Sequence, residues 1–135
     1  MKKLIISSAI LVALIATYVQ MEAKVVYENP NSAVFSWLDT THDFGEVPTG
    51  DPVTHKFTFT NTGDIPLIIS SAKASCGCTV ADYTKEPITP GAEGYVQATY
   101  NAKKEGAFSK TVTINANSVV GVVVLTLKGE VVAAE

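Results

Sequence analysis

The chain of 135 residues holds two cysteines, two histidines and one tryptophan, and its ten cationic side chains are all lysine. With no arginine there is no planar guanidinium fork, so a clamp for carboxylate or phosphate groups would have to use lysine alone. The lysines are scattered apart from the pairs Lys2-Lys3 and Lys103-Lys104, and 13 acidic residues bring the net charge to −3. Nucleic-acid binding therefore has no electrostatic footprint. Two cysteines do not make a disulfide-dense scaffold. A charged fraction of 17% beside 47% hydrophobic residues excludes an intrinsically disordered chain, and the glycines show no three-residue period. What is present is enough apolar sequence for one compact domain.

The N-terminus has the form of a secretory signal peptide. Lys2 and Lys3 supply a positive start, and Leu4 to Val19 is an uncharged, largely apolar run of 16 residues. That run is shorter than the roughly 20 residues needed to cross a hydrocarbon core, although retention as an anchor stays open. Ala16 and Ala23 each offer a small residue before a cleavage point, while Leu14 and Met21 are bulky two positions earlier. No cysteine ends the run to accept a lipid. The expected organisation is a signal peptide over 1–23 and a single immunoglobulin-like domain over 24–135, secreted or periplasmic. Once cleaved, the mature chain would carry no membrane span.

Beyond residue 24 no stretch sustains apolar residues at helical spacing, whereas two-residue alternation recurs between turn formers. In V-T-H-K-F-T-F-T-N, Val53, His55, Phe57 and Phe59 share one face and Thr54, Lys56, Thr58 and Thr60 the other. N-T-G-D-I-P supplies a turn, and Leu67 to Ser71 begins a strand that is expected to continue irregularly into Thr79 and Val80. Tyr95 to Asn101 and Phe108 to Asn117 alternate again. Val119 to Val131 reads either as a strand buried on both faces or as a hairpin-proximal strand interrupted at Gly121. Ala33 to Trp37 and Thr41 to Val47 are expected along one edge. About seven short strands at this spacing predict an all-β, immunoglobulin-like sandwich.

Catalytic constellations are missing. D-F-G at Asp43 to Gly45 matches a kinase triplet, but the other kinase motifs are absent, so it reads as a strand end where Phe44 enters the core. His42 and His55 have no HxxxH or His-carboxylate spacing and read as half-buried strand residues. No G-x-S-x-G elbow surrounds a serine, so the chain is not expected to be an enzyme.

The distinctive segment is A-S-C-G-C-T-V. On an ideal strand the Cα atoms of Cys76 and Cys78 would stand about 6.6 Å apart, near the upper limit for a disulfide, so bridging them requires a bend that Gly77 permits. Three readings stay open: a structural pair, as a local disulfide or as packed thiols; capture of a soft metal such as Cu(I) by Cys76 and Cys78; or redox activity. No other cofactor is expected.

Taken in order, H-D-F-G-E-V, F-T-F-T-N-T-G-D-I-P-L-I-I, A-S-C-G-C-T, P-I-T-P-G and T-L-K-G-E-V resemble the bacterial family of exported domains of unknown function number 1573, over about residues 40 to 132. The N-T-G-x-x-P-L and P-G turns are also similar to the wider immunoglobulin-like group of major sperm protein and the ASPM, SPD-2 and Hydin modules. The resemblance implies an immunoglobulin-like sandwich with Phe44, Gly45, Phe57, Phe59, Asn61, Gly63, Pro66, Leu67, Cys76, Gly77, Cys78, Pro90 and Gly91 at matching positions. It brings no activity and no role for the cysteines. The expected function is a non-enzymatic exported module binding an unknown protein or cell-envelope component through loops or a strand edge. The alternative is a copper-binding or redox protein built on Cys76-Gly77-Cys78, with His42 or His55 approaching from another strand.

Overall fold

A computed structural model describes residues 31–135, so the expected signal peptide over 1–23 lies outside the described residues. Eight strands follow one another without a helix between them: β1 (Phe35–Trp37), β2 (Thr41–Pro48), β3 (Val53–Asn61), β4 (Ile69–Ala74), β5 (Thr79–Tyr83), β6 (Glu93–Tyr100), β7 (Gly106–Ala116) and β8 (Val122–Val132). One sheet has the order β1-β3-β6-β5 and the other β2-β8-β7-β4. The fold is an immunoglobulin-like β-sandwich.

Alternation along the strands builds the core. Phe57 and Phe59 on β3, Val96 and Ala98 on β6, Val112 and Ile114 on β7, and Leu125 and Leu127 on β8 are all buried between the sheets. Removing a large apolar side chain of this kind from water contributes roughly 2 kcal/mol. A second cluster, Val47, Tyr100, Ala102, Phe108 and Val131, adjoins the first, and Phe44 packs against both. The register places Phe59 opposite Gly94, where a Cβ would come within 2.5 Å of the Phe59 ring, so the glycine makes room for the phenyl group.

The turn after β3 is organised by Asn61, whose side chain is fully buried with four hydrogen bonds. Its Nδ2 donates to the carbonyls of Ile65 (2.8 Å) and Ile88 (2.9 Å), and its Oδ1 accepts from the amides of Gly63 (3.0 Å) and Val34 (3.3 Å). Three loops are thereby tied to one amide group.

Two elements differ from the reading of the sequence, and a third settles between its two alternatives. The irregular strand expected from Leu67 to Val80 is two strands, β4 in the second sheet and β5 in the first. The chain turns at Ser75–Cys78, where the Thr79 amide donates back to the Cys76 carbonyl at 3.4 Å. D-F-G does not end a strand; it forms a bulge inside β2, where the register with β8 shifts between Asp43 and Glu46. Gly45 takes a left-handed φ of 66° there, and its amide donates to Asp43 Oδ1 at 2.8 Å. Of the two readings of the apolar run from Val119, the hairpin-proximal strand interrupted at Gly121 holds and burial on both faces does not: Gly121, with φ 75°, ends the β7–β8 turn. The run is a hairpin turn followed by β8, on which Val122 and Val124 face outward and are exposed.

β1 and β2 lie along the same side of the sandwich but in different sheets. The crossing at Leu38, Asp39 and Thr40 carries the chain from one sheet to the other.

Candidate functional site

Cys76 and Cys78 are joined as a disulfide with Cα atoms 5.3 Å apart. The turn that separates β4 from β5 supplies the bend that an extended strand lacks. Both cysteines are half-buried, Gly77 is exposed, and Cys78 packs against the Tyr100–Phe108 cluster. The Cys78 carbonyl accepts from the Asn101 amide at 3.0 Å, which anchors the closed turn to the end of β6. Joined sulfurs offer no thiolate, so capture of Cu(I) here would first require reduction.

The turn leads directly into β5, one of four edge strands. The others are blunted in different ways. β1 has three residues, β2 carries the Gly45 bulge, and β4 carries an irregularity between Ile69 and Ser71. β5 pairs with β6 in unbroken register from Thr79↔Tyr100 to Tyr83↔Val96. Cys78 accepts from Asn101 and Thr84 donates to Tyr95, so the even-numbered residues of β5 bond β6. By alternation, the backbone groups of Ala81 and Tyr83 point to the open side, while the Thr79 amide is taken by the Cys76 carbonyl. The outer face presents Val80, 68% exposed, and Asp82, which pairs with Lys85 at 3.8 Å. An unbulged edge with an exposed apolar residue is a template for another strand.

A third constellation forms where the chain crosses between sheets. His42 on β2 and His55 on β3 stack across the gap, ring centroids 3.7 Å apart and planes within 5°. Phe44 packs nearly perpendicular to His42 and Phe57 nearly perpendicular to His55, each with ring centroids 4.6 Å apart, giving a four-ring ladder from one sheet to the other. Asp39, on the crossing segment, places Oδ2 3.0 Å from His55 Nε2. One ligating atom from each of Asp39, His42 and His55 lies within 4.8 Å of the other two. Sequence spacing concealed this His-carboxylate pairing. The inward parity of His55 was legible, but its neighbours arrive from other elements, and Asp39 carried no signal at all. Cys76 and Cys78 are not members of this group.

Among the described residues no helix is long and apolar enough to cross a membrane. The sequence model of the family described as "Protein of unknown function (DUF1573)" matches residues 35–131. No curated protein matches the chain. Among solved structures, a protein of unknown function from Porphyromonas gingivalis W83 is similar with a TM-score of 0.65 at 18% identity, covering 73% of this chain and 46% of that one. The ASH/PapD-like domain 7 of human CEP192 has a TM-score of 0.62 at 12% identity, covering 78% of this chain and 90% of that one. The secreted serine protease VesC of Vibrio cholerae has a TM-score of 0.58 at 21% identity, covering 75% of this chain. The chain thus spans less than half of the Porphyromonas protein and only 24% of the protease. At these identities the likeness concerns the fold, and a fold hosts many functions.

Proposed function

We propose that this chain, which belongs to the DUF1573 family, is an exported, non-enzymatic module that binds a protein of the cell envelope by receiving an extended segment of it along β5. The observation that carries this reading is the regular, unpaired edge of β5, headed by the disulfide-closed turn at Cys76–Cys78. Main-chain hydrogen bonds from Ala81 and Tyr83 would supply affinity, and the exposed Val80 would help select the partner's side chains. A turn closed covalently holds its end of the edge in one conformation, which lowers the ordering cost of binding. Export is supported by the Lys2-to-Val19 pattern and by a disulfide, which persists in oxidising compartments.

The test is site-specific photo-crosslinking in the producing cell. A photoreactive residue at Val80 should give one discrete adduct. Ala81→Pro should abolish it, because proline removes the donor on the open side while leaving the ladder to β6 intact. The competing surface is the apolar outer face of β8, so the same probe at Val124 serves as the comparison. Adducts from Val124 with none from Val80, or a Val80 adduct indifferent to Ala81→Pro, would contradict the proposal.

A further inference from the structure

We propose that Asp39, His42 and His55 bind one divalent transition-metal ion of borderline softness, of the zinc class. The donor set has the chemistry for it: two imidazoles and a carboxylate are ligands that such ions take, and the number leaves a coordination position open.

Distances support the same conclusion. With metal–nitrogen and metal–oxygen bonds of about 2.0–2.1 Å, neighbouring ligand atoms in a tetrahedral site stand about 3.3 Å apart. The 3.0 Å separation of His55 Nε2 and Asp39 Oδ2 is already close to one edge of that figure. The donor atom of His42 needs to close from within 4.8 Å. Burial is intermediate, with the His55 side chain 22% and that of Asp39 40% exposed, so an ion has a path in from solvent. Phe44 packs nearly perpendicular to His42 and Phe57 to His55, so each imidazole has an apolar neighbour.

The geometry also states what binding must change. Imidazole lone pairs lie in the ring plane, and two stacked rings with centroids 3.7 Å apart and planes 5° from parallel cannot both hold one ion in plane. The ion must replace the Asp39–His55 hydrogen bond and tilt the stacked rings apart at the ligating edge. Because His42 belongs to one sheet and His55 to the other, the bound ion would cross-link the sandwich where β1 gives way to β2. Its ligands come from three elements that meet only in the folded state, so binding would also raise stability.

The experiment is calorimetric titration of the untagged full chain with Zn2+, the disulfide left intact so that thiols cannot contribute. It is accompanied by Co2+ absorption and histidine ring-proton NMR. One ion per chain is expected, with the His42 and His55 ring protons shifting together and Co2+ giving visible d–d bands. His42→Phe keeps a ring in the stack but no donor, and should weaken binding at least tenfold without loss of fold. His55→Phe should do the same, and Asp39→Asn should weaken binding to a smaller degree. Absence of stoichiometric binding, or binding unchanged in both phenylalanine variants, would overturn the proposal. Neither result bears on β5, which shares no residue with this site.

Discussion

Asn61 shows how a single side chain can decide the fold of several loops. It is a polar residue with no exposure, kept inside because all four of its hydrogen-bonding positions are used. Asn61→Ala strands the Ile65 and Ile88 carbonyls and the Gly63 and Val34 amides, and should cost about 2–4 kcal/mol. Urea unfolding should show this as a lower midpoint at unchanged slope. At this scale the sequence was legible wherever strand parity decides a side chain's surroundings. Phe57, Phe59, Val96, Ile114 and their neighbours face inward as alternation required. It was not legible where contact depends on two sheets closing. His42 and His55 are 13 positions apart, and nothing in either strand says that the other will lie 3.7 Å away. Asp39 was invisible for the same reason, since its place is set by a crossing between sheets.

Among the elements, β5 and the turn before it matter most. Reading Leu67 to Val80 as one strand missed the change of sheet, because β-branched and small polar residues continue through the turn and only C-G-C marks the bend. The disulfide closes a loop of three residues, so the chain-entropy model assigns it only about 1.5 kcal/mol. Cys76→Ser with Cys78→Ser should therefore leave a folded sandwich, with a stability loss of about 1–2 kcal/mol in denaturant titration. Its larger effect should fall on the start of β5, seen as faster amide exchange at Thr79 and Val80 with β7 and β8 unchanged. Unfolding of the double variant would show instead that the pair is needed for the whole domain. The bulge at Gly45 illustrates the converse case: D-F-G was read as a strand end, and its place as a bulge inside β2 was hidden because parallel pairing with β8 is a tertiary outcome.

For the whole molecule, turns and alternating segments were enough to identify an all-β sandwich, since those features are local and repeat along the chain, while the family was carried by the resemblance of ordered motifs from H-D-F-G-E-V to T-L-K-G-E-V. Partner choice is not local. It depends on which edges the finished sheets leave open, and three of the four edge strands are short or irregular. The β5 edge and the histidine ladder lie in different parts of the sandwich and lead to separable behaviour. The first would decide what the proposed module holds, and the second how a bound ion would join its two sheets.

The most direct measurement of the docking claim is residue-resolved hydrogen exchange on the domain alone and in complex with the protein captured through Val80. In the free domain the Ala81 and Tyr83 amides, which face the open side of β5, should exchange rapidly while those of Val80 and Asp82, bonded to β6, are protected. In the complex, Ala81 and Tyr83 should become protected and the exposed stretch of β8 at Val122 to Val124 should not change. Protection that appears on β8 while Ala81 and Tyr83 still exchange freely would contradict strand addition at β5.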